Sequence, residues 1–346
     1  MADEVLTEPV FRLPPFTVEQ VFTARSQSID WGIKLLNIPP LWKETRGKGI
    51  KIGVLDTGIS LVHGDLQGAI LDAKDFTGSP TGPADDNGHG TACGSIIAAR
   101  DNEVGIVGVA NEGGLLVGKV LNSQGAGGSR SITSGIRWLV EKKADIISMS
   151  FGSPSPDASI NQAVEEALAA GIICVCAAGN EGPDLSTVGY PAQVEGVVSV
   201  GAIDQTKAIA RFSSRGKRVD IVAPGVNILV DIPPNNQAVM SGTSFACPYA
   251  AGVIALMLAK HRSIGGASPV GTPQQVIEHL HKTSLDLGPT GWDSSYGFGL
   301  ISPEKLLAYQ PPPGSVDFIP SDFSEAGLRK LRGVLGDVSS LTIRVH

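Results

Sequence analysis

The chain has few aromatic residues, few cysteines and no strong excess of charge of one sign. Of its 346 residues, 5% are aromatic and four are cysteine, and the formal net charge of -7 comes without long runs of like charge. This mild acidity gives no indication of nucleic acid or an anionic membrane surface as a partner. The start, Met1 to Leu6, carries acidic residues where a secretory signal has basic ones, and we find no long apolar run. These absences predict a soluble protein.

The four cysteines indicate the compartment. Cys174 and Cys176 lie two apart on one predicted strand, a spacing that disfavours a bond between them. Cys93 and Cys247 lie close to a histidine and a serine that we consider below. Free thiols near a reactive centre fit a reducing compartment better than an oxidising one, which predicts an intracellular protein.

The sequence is rich in the residues that build a tightly turned α/β core, since 42% of the residues are hydrophobic and 43 are glycine. Short apolar runs predict buried strands at residues 50–56, 115–121, 144–150 and 172–178, and helical stretches are predicted at 91–100, 131–142, 159–170 and 248–260. This alternation predicts a central, mostly parallel sheet flanked by helices. Ligands of such folds gather at the carboxyl ends of the strands, where Asp56, Ser150 and Asn180 lie.

Three glycine-rich segments each hold a chemically active side chain, in the order Asp56, His89 and Ser244. A serine hydroxyl is a poor nucleophile at neutral pH and needs a base such as a histidine, which a carboxylate can orient. Asn180 follows an apolar strand in another glycine turn and could donate to a developing oxyanion. Taken singly, each of these residues is more often a turn or helix-cap residue.

Taken together, the segments Asp56-Thr57-Gly58, His89-Gly90-Thr91, Ala177-Ala178-Gly179-Asn180 and Gly242-Thr243-Ser244 resemble those of the subtilisin family of serine endopeptidases, over roughly residues 23 to 310. The resemblance implies a three-layer α/β fold and an Asp56-His89-Ser244 triad. It also implies an oxyanion hole of the Asn180 amide and the Ser244 N–H, and cleavage of proteins and peptides through an acyl-enzyme. We expect an inhibitory extension at residues 1–22, a catalytic domain at 23–311 and a C-terminal extension of unknown role at 312–346.

The N-terminal extension resembles that of the intracellular subtilisins, which carry a short Leu-Ile-Pro-Tyr-like motif. Here the motif consists of Leu13, Pro14, Pro15 and Phe16, and it departs from that pattern at its second and fourth positions. We hypothesise that residues 10–16 lie in the substrate groove as an added strand, and that Pro15 displaces the would-be scissile bond from Ser244. Removal of the extension near Ala24 or Arg25 would then activate the enzyme.

Calcium is the cofactor that the resemblance implies, bound by a loop after the helix that carries His89. Three side chains and three backbone carbonyls stand at the matching places: the side chains of Gln27, Asp65 and Asn102, and the carbonyls of Arg100, Val104 and Ile106. Taken singly, Asp65 and Asn102 are more often ordinary turn and loop residues. We expect the ion to fix the long loop.

The resemblance also places an extended peptide between two segments of the chain. These are Gly125, Ala126 and Gly127 on one side and Ser150, Phe151 and Gly152 on the other. Pairing of this kind binds main chain, which implies broad specificity. Gly189 at the base and Glu181 at the rim of the pocket would favour large apolar residues before the cleaved bond, with basic ones tolerated.

Two other functions stay open from the sequence. One is a catalytically silent protein that holds peptides, and the other is a secreted scavenging protease trimmed of its signal. A homodimer is also possible from the resemblance to intracellular subtilisins, and the sequence does not decide it.

Overall fold

The computed structural model describes residues 10–23, 26–264 and 271–308. Over these ranges the strands are β1 (Val10–Arg12), β2 (Thr17–Thr23), β3 (Lys51–Asp56), β4 (Ile70–Asp75), β5 (Gly114–Lys119), β6 (Ala126–Gly128), β7 (Ile146–Met149), β8 (Ile173–Ala177), β9 (Val198–Ile203), β10 (Ile221–Pro224), β11 (Ile228–Ile232) and β12 (Asn236–Ser241). The helices over the same ranges are α1 (Trp31–Leu35), α2 (His89–Ala98), α3 (Ser129–Glu141), α4 (Ala158–Ala169), α5 (Thr243–Ile264), α6 (Pro273–Thr283) and α7 (Pro303–Ala308). Short 3-10 turns lie at Pro39–Lys43 and Gly64–Leu66. The C-terminal extension expected at 312–346 lies outside the described residues.

A seven-stranded parallel sheet forms the centre of the fold. Its strand order is β10-β9-β8-β7-β3-β5-β4, and every neighbouring pair is parallel. Strands β5, β7, β8 and β9 are buried along their whole length, as expected for a parallel sheet covered on both faces. The four apolar runs therefore form strands close to their predicted positions.

Helices cover both faces of the sheet and enclose two hydrophobic cores. Helices α2 and α5 pack together and against the sheet, in a core that includes Ile96, Phe245 and Ile254. Helices α3 and α4 pack together over a second core, which includes Ile136 and Val164. This arrangement confirms the predicted three-layer α/β fold with a central, mostly parallel sheet.

Helix α5 begins earlier than predicted, at Thr243 rather than at Pro248, and Pro248 lies inside it. A proline tolerates this position because the carbonyl that loses its helical N–H partner finds other donors. That carbonyl belongs to Ser244, and it accepts hydrogen bonds from Ser150 Oγ (2.9 Å) and Cys93 Sγ (3.4 Å).

One stretch of α5, Thr243–Ser263, is long and apolar enough to cross a membrane, a run that our reading of the sequence did not identify. However, 89% of its most apolar window is buried inside the protein. The stretch is therefore the central core helix of the fold.

Two small antiparallel sheets carry the N-terminal segment. Strand β1 pairs with β6, and β2 pairs with the outer edge of the β11-β12 hairpin. Residues 10–23 therefore run across the molecule between these two sheets, passing the carboxyl ends of the central strands.

Candidate active site

The carboxylate of Asp56 stands at the end of β3, in the centre of the sheet. Asp56 is fully buried, and its Oδ1 accepts a hydrogen bond from the backbone N–H of Thr57 (2.7 Å). Its two oxygens lie 2.9 and 3.0 Å from Nδ1 of His89. This contact fixes the orientation of the imidazole and leaves Nε2 as its other reactive atom.

His89 opens α2, and the start of that helix is held tightly against the Asp56 turn. A Cβ atom at Gly90 would lie 2.2 Å from the carbonyl oxygen of Gly58, so only glycine permits this close approach. The Gly90 N–H donates to Thr57 Oγ1 (2.9 Å). The backbone contact thus sets the distance between the carboxylate and the imidazole.

Asp85 supports both segments, although nothing in the sequence marked it as functional. Its carboxylate accepts five hydrogen bonds, from Thr57 Oγ1 (2.9 Å), Asn87 N (3.1 Å), Gly88 N (2.8 Å), Thr91 N (2.8 Å) and Thr91 Oγ1 (2.6 Å). Several of these donors belong to the first turn of α2, whose N–H groups have no intrahelical partner. Asp85 therefore ties the helix that carries His89 to the turn that carries Asp56.

Lys119, at the end of β5, is a second residue that the sequence did not reveal. Its fully buried ammonium donates to the carbonyls of Thr57 (2.9 Å) and Ala84 (3.0 Å) and to Asp86 Oδ1 (2.5 Å). A buried lysine is stable only when paired in this way. Its position at the carboxyl end of a strand was the one signal that could have identified it.

Ser244 lies in the first turn of α5, next to His89. Cys93 Sγ contacts both residues, 3.7 Å from His89 Nδ1 and 3.4 Å from the Ser244 carbonyl. The Ser244 hydroxyl donates to the carbonyl of Ser150 (3.3 Å), and His89 Nε2 has no hydrogen-bond partner among the described residues. The fold thus brings Asp56 and His89 into contact and places Ser244 at the same cysteine, with its hydroxyl bonded to Ser150 and not to His89.

Asn180 follows β8 and is held with its amide N–H groups facing the groove. Its Oδ1 accepts from the Thr243 N–H (2.9 Å) and the Thr243 hydroxyl (2.8 Å), and a backbone N–H can only donate, so the oxygen must face Thr243. Its Nδ2 donates to the carbonyl of Pro15 (2.7 Å). A carbonyl of the N-terminal segment thus occupies the place in front of Asn180.

The segment before Pro15 lies between the two predicted groove segments. Arg12 exchanges backbone hydrogen bonds with Gly152 (2.9 and 2.8 Å), and the Leu13 N–H donates to the Gly125 carbonyl (2.9 Å). Phe11 and Arg12 pair with Gly127 and Ala126 of β6. The Phe11 ring is fully buried and packs edge-on against Phe151, with ring centroids 6.3 Å apart.

A pocket of about 340 Å³ adjoins this strand. Its wall includes Phe151, Gly152, Glu181 and Gly189, together with Pro14 and Pro15 of the N-terminal segment. Glu181 Oε2 accepts a hydrogen bond from Ser214 Oγ (3.0 Å). The predicted groove and pocket residues thus all lie around the N-terminal segment or the Ser244 hydroxyl.

The predicted calcium residues also meet in one place. Gln27 Nε2 faces four oxygens, namely the carbonyls of Arg100 (2.8 Å), Val104 (3.3 Å) and Ile106 (3.5 Å) and Asn102 Oδ1 (3.5 Å). Asp65 Oδ2 accepts the Ile106 N–H (2.6 Å), and Asp65 Oδ1 is buried without a hydrogen-bond partner. Converging oxygens and an unpartnered buried carboxylate oxygen fit a hard divalent cation, which Gln27 would bind through Oε1 after a flip of the amide that now points Nε2 at these oxygens.

Asp231, which the sequence did not point to, lies beside Asp65. It is fully buried, and its Oδ1 lies 3.7 Å from Nε2 of the equally buried His63. Burial, and then the charge of Asp65, raise the pKa of Asp231 to about 9. Asp231 is 166 positions from Asp65 in the chain, so only the fold reveals the pair.

The fold and these contacts define the class of protein as an α/β serine hydrolase. The subtilase family pattern matches residues 47–299 of the chain, and the chain belongs to the subtilase family. It is 44% identical over 264 residues to an intracellular serine protease of Paenibacillus polymyxa, covering 74% of this chain and 80% of that protein. It is 41% identical over 254 residues to the major intracellular serine protease of Bacillus subtilis (strain 168), covering 71% and 79%. It is 39% identical over 282 residues to subtilisin DY of Bacillus licheniformis, covering 81% and 98%.

Family membership confirms the predicted function at the level of the reaction. The protein is a subtilisin-type serine protease that hydrolyses peptide bonds in proteins and peptides.

Proposed function

We propose that this protease acts through Asp56, His89, Ser244 and Asn180, and that its own residues 10–23 keep it inactive until they are removed. The observation that carries the proposal is the Pro15 carbonyl at the Asn180 amide, beside the Asp56-His89 pair. A peptide that lies in this groove presents its carbonyl to the group that would stabilise an oxyanion.

The catalytic steps follow from these positions. In an open groove, His89 Nε2 accepts the proton of Ser244 Oγ while the oxygen attacks the carbonyl carbon, and Asp56 stabilises the imidazolium. The oxyanion accepts hydrogen bonds from Asn180 Nδ2 and from the Ser244 N–H, which lies in the first turn of α5. His89 then gives the proton to the leaving amine, the amine departs, and water cleaves the acyl-enzyme by the same route.

The prolines of the extension remove backbone donors that a cleavable peptide would have at this place. Neither Pro14 nor Pro15 has an N–H, so neither can donate to the Ser150 carbonyl. That carbonyl instead accepts the Ser244 hydroxyl, which is thereby withheld from His89. From the sequence we expect Pro15 to displace the bond from Ser244. Its carbonyl instead lies at Asn180, and it is the Ser244 hydroxyl that is bonded elsewhere, to Ser150.

Phe16 adds to the inhibition on the other side of the Pro15 carbonyl. Its ring lies 5.0 Å from the His89 ring and 6.1 Å from the Phe245 ring, centroid to centroid. It covers the imidazole and excludes water and substrate from it. We keep residues 1–22 as the proposed inhibitory segment, of which the structure describes residues 10–22, and the strand continues to Thr23.

Labelling with a fluorophosphonate tests this function directly. We expect rapid covalent labelling of Ser244 once the extension has been cut off, slow labelling of the intact chain, and none of Ser244→Ala. Equal labelling rates before and after the cut would contradict the inhibitory role, and labelling of Ser244→Ala would contradict the assignment of the nucleophile.

We also propose a calcium ion held by Gln27, Asp65, Asn102 and the three carbonyls named above. It would pin the loop after α2, so its binding energy would add to stability, by about 4 kcal/mol at a thousandfold excess over the dissociation constant. In a Ser244→Ala background, which prevents self-digestion, a chelator should lower the melting temperature, and Asp65→Asn should remove most of that effect. An unchanged melting temperature with no bound metal would refute the site.

The pocket supports broad specificity with a preference for large apolar residues before the cleaved bond. Its walls are mostly apolar, and main-chain pairing with Gly125 and Gly152 does not depend on the substrate's side chains. Cleavage of a peptide library by the processed enzyme would test this, and a strict requirement for one charged residue would contradict it.

We further propose that the protein acts inside the cell. Two relatives are named intracellular serine proteases, and all four cysteines of this chain are free and buried. Cell fractionation with an antibody would test the location. Analytical ultracentrifugation would test the homodimer that we left open from the sequence, since a monomer at all concentrations would exclude it.

A further inference from the structure

We propose that the outer edge of β12 is a docking strand for the substrate segment that follows the cleaved bond, reaching at least six residues beyond it. This inference rests on the proposed function, because it uses the same groove and the same reading of residues 10–23 as a strand seated in it. It concerns the side of the groove beyond Phe16, which the predictions from sequence did not reach.

The register between β2 and β12 carries the proposal. Strand β2 pairs antiparallel with β12 along its whole length, from Thr17 opposite Ser241 to Thr23 opposite Asn236. Strand β2 begins two residues after Pro15, whose carbonyl lies at Asn180. A peptide bound in the active site would therefore reach β12 two residues after the position of Pro15.

The position of β12 makes this edge available once the extension has gone. Its other edge is paired with β11, and its last residue, Ser241, is only three positions before Ser244. When β2 leaves, β12 has a row of unpaired backbone groups, and such an edge readily accepts another extended chain. The chain that reaches it through the active site is the substrate.

Backbone pairing, rather than side-chain packing, holds β2 on this edge. Six of its seven residues are exposed, including Val18 at 51% and Val21 at 56%. A strand held in this way can be replaced by a strand of another sequence. The edge therefore suits a protease with many substrates.

A cleft beside the edge, lined by apolar residues and also by Asp85, Asp86 and Asn87, adds a side-chain preference. The register shifts between Val239 and Met240, so that Val18 lies opposite Met240 and Val21 opposite Ala238. Directly opposite residues share one face of a sheet, so both valines face the same side. They line a cleft of about 550 Å³ together with Ile232, Pro233, Pro234, Ala238 and Met240. The third and sixth residues after the cleaved bond would thus border this cleft, with about half of each side chain left exposed.

The substrate class follows from this geometry. The enzyme would favour polypeptides that can remain extended for six or more residues after the cleaved bond, such as unfolded segments. It would cleave poorly close to a C-terminus.

A series of peptides of increasing length tests the docking strand. The full chain, with a cleavage site for an unrelated protease inserted after Thr23, is folded intact, then cut and freed of the extension. Peptides with a constant segment before the cleaved bond carry two, four, six or eight residues after it. We expect kcat/KM to rise about tenfold from two to six residues and then to level off, because each added backbone pair contributes a modest gain.

Two adverse outcomes are distinguishable. A kcat/KM that is independent of length would overturn the docking strand while leaving the protease function intact. Failure to hydrolyse any peptide would instead refute the proposed catalytic residues. Binding of the same peptides to processed Ser244→Ala protein then decides the docking strand, which requires tighter binding of the eight-residue than of the two-residue form.

A scan of N-methylated peptides provides the matched control. In an antiparallel pair only every second residue points its N–H at the neighbouring strand. Methylation of successive backbone nitrogens from the fifth to the eighth residue, beyond the register shift, should therefore reduce kcat/KM at alternate positions. Equal effects at all positions would show that side chains, and not the β12 edge, hold this part of the substrate.

Discussion

Replacement of Asp85 by asparagine tests how the fold holds the catalytic histidine. The substitution keeps the shape of the side chain but converts one acceptor oxygen into a donor. If the new NH2 group faces Thr91, the buried Thr91 N–H has no acceptor. If the NH2 group faces the other way, the N–H groups of Asn87 and Gly88 have no acceptor. At least one buried donor is left unpaired in either orientation.

The expected loss can be worked from these contacts. An unpaired buried N–H costs about 1 to 3 kcal/mol, and the remaining donors exchange a charged acceptor for a weaker neutral one. We expect a total of about 2 to 4 kcal/mol, which lowers the melting temperature by about 3 to 7 °C in a catalytic domain of roughly 290 residues. The measurement is calorimetry of Asp85→Asn in a Ser244→Ala background, at saturating calcium.

Asp72→Asn is the matched control. Asp72 forms an ion pair with Lys142 in which both side chains are more than 40% exposed, and such pairs contribute little. The melting temperature of the Asp72→Asn protein should change by no more than about 2 °C. Equal changes for Asp85→Asn and Asp72→Asn would refute the view that Asp85 fastens the start of α2 to the Asp56 turn.

Three further predictions concern the extension, the thiols and the buried carboxyl pair. Phe16→Ala removes two ring contacts worth about 0.5 to 1.5 kcal/mol each, so the intact chain should hydrolyse peptide at least about fivefold faster. Phe22→Ala, further along β2, is the control. An equal increase for both variants would contradict a specific role of Phe16. Burial raises the pKa of Cys174 to about 12 and that of Cys247 to about 11. The native protein should therefore resist iodoacetamide at pH 8, whereas the denatured protein should take up four equivalents. Rapid labelling of the native protein would contradict this. The folded state keeps a proton on Asp231 up to about pH 9, whereas the unfolded state loses it near pH 4, so stability in chelator should fall as pH rises between these values. Asp231→Asn should flatten that fall, and identical slopes for the two proteins would show that the pair does not titrate in this way.

The sequence predicted those parts of the site that local patterns encode. Asp56 and Asn180 each follow an apolar strand in a glycine turn, and a parallel sheet brings such turns to one edge. His89 and Ser244 came from motifs whose spacing matches a known family. The central sheet was equally predictable from the sequence, because fully buried strands appear as continuous apolar runs.

The parts that could not be predicted depend on contacts between distant segments. Asp85 and Lys119 form hydrogen bonds with Thr57, which lies in a distant segment of the chain. Asp231 meets Asp65 only after the β11-β12 hairpin has folded beside the proposed calcium loop. The start of α5 was placed too late because Pro248 is a common first residue of a helix, and the donors that satisfy the Ser244 carbonyl come from other elements.

Strand β2 was missed for a different reason. Residues 17–23 include Val18, Val21 and Phe22, a composition that favours a strand, but they do not alternate regularly because of the shift opposite Val239 and Met240. A β-bulge on an exposed strand leaves no periodic signal in the sequence.

Hydrolysis of one peptide by three proteins tests the central claim most directly. The proteins are the intact chain, the chain cut after Thr23 and freed of residues 1–23, and the cut chain carrying Ser244→Ala. We predict that cutting raises kcat/KM at least tenfold and that Ser244→Ala abolishes it. Equal rates for the intact and cut chains, or undiminished hydrolysis by Ser244→Ala, would contradict a serine protease whose own N-terminal strand fills its groove.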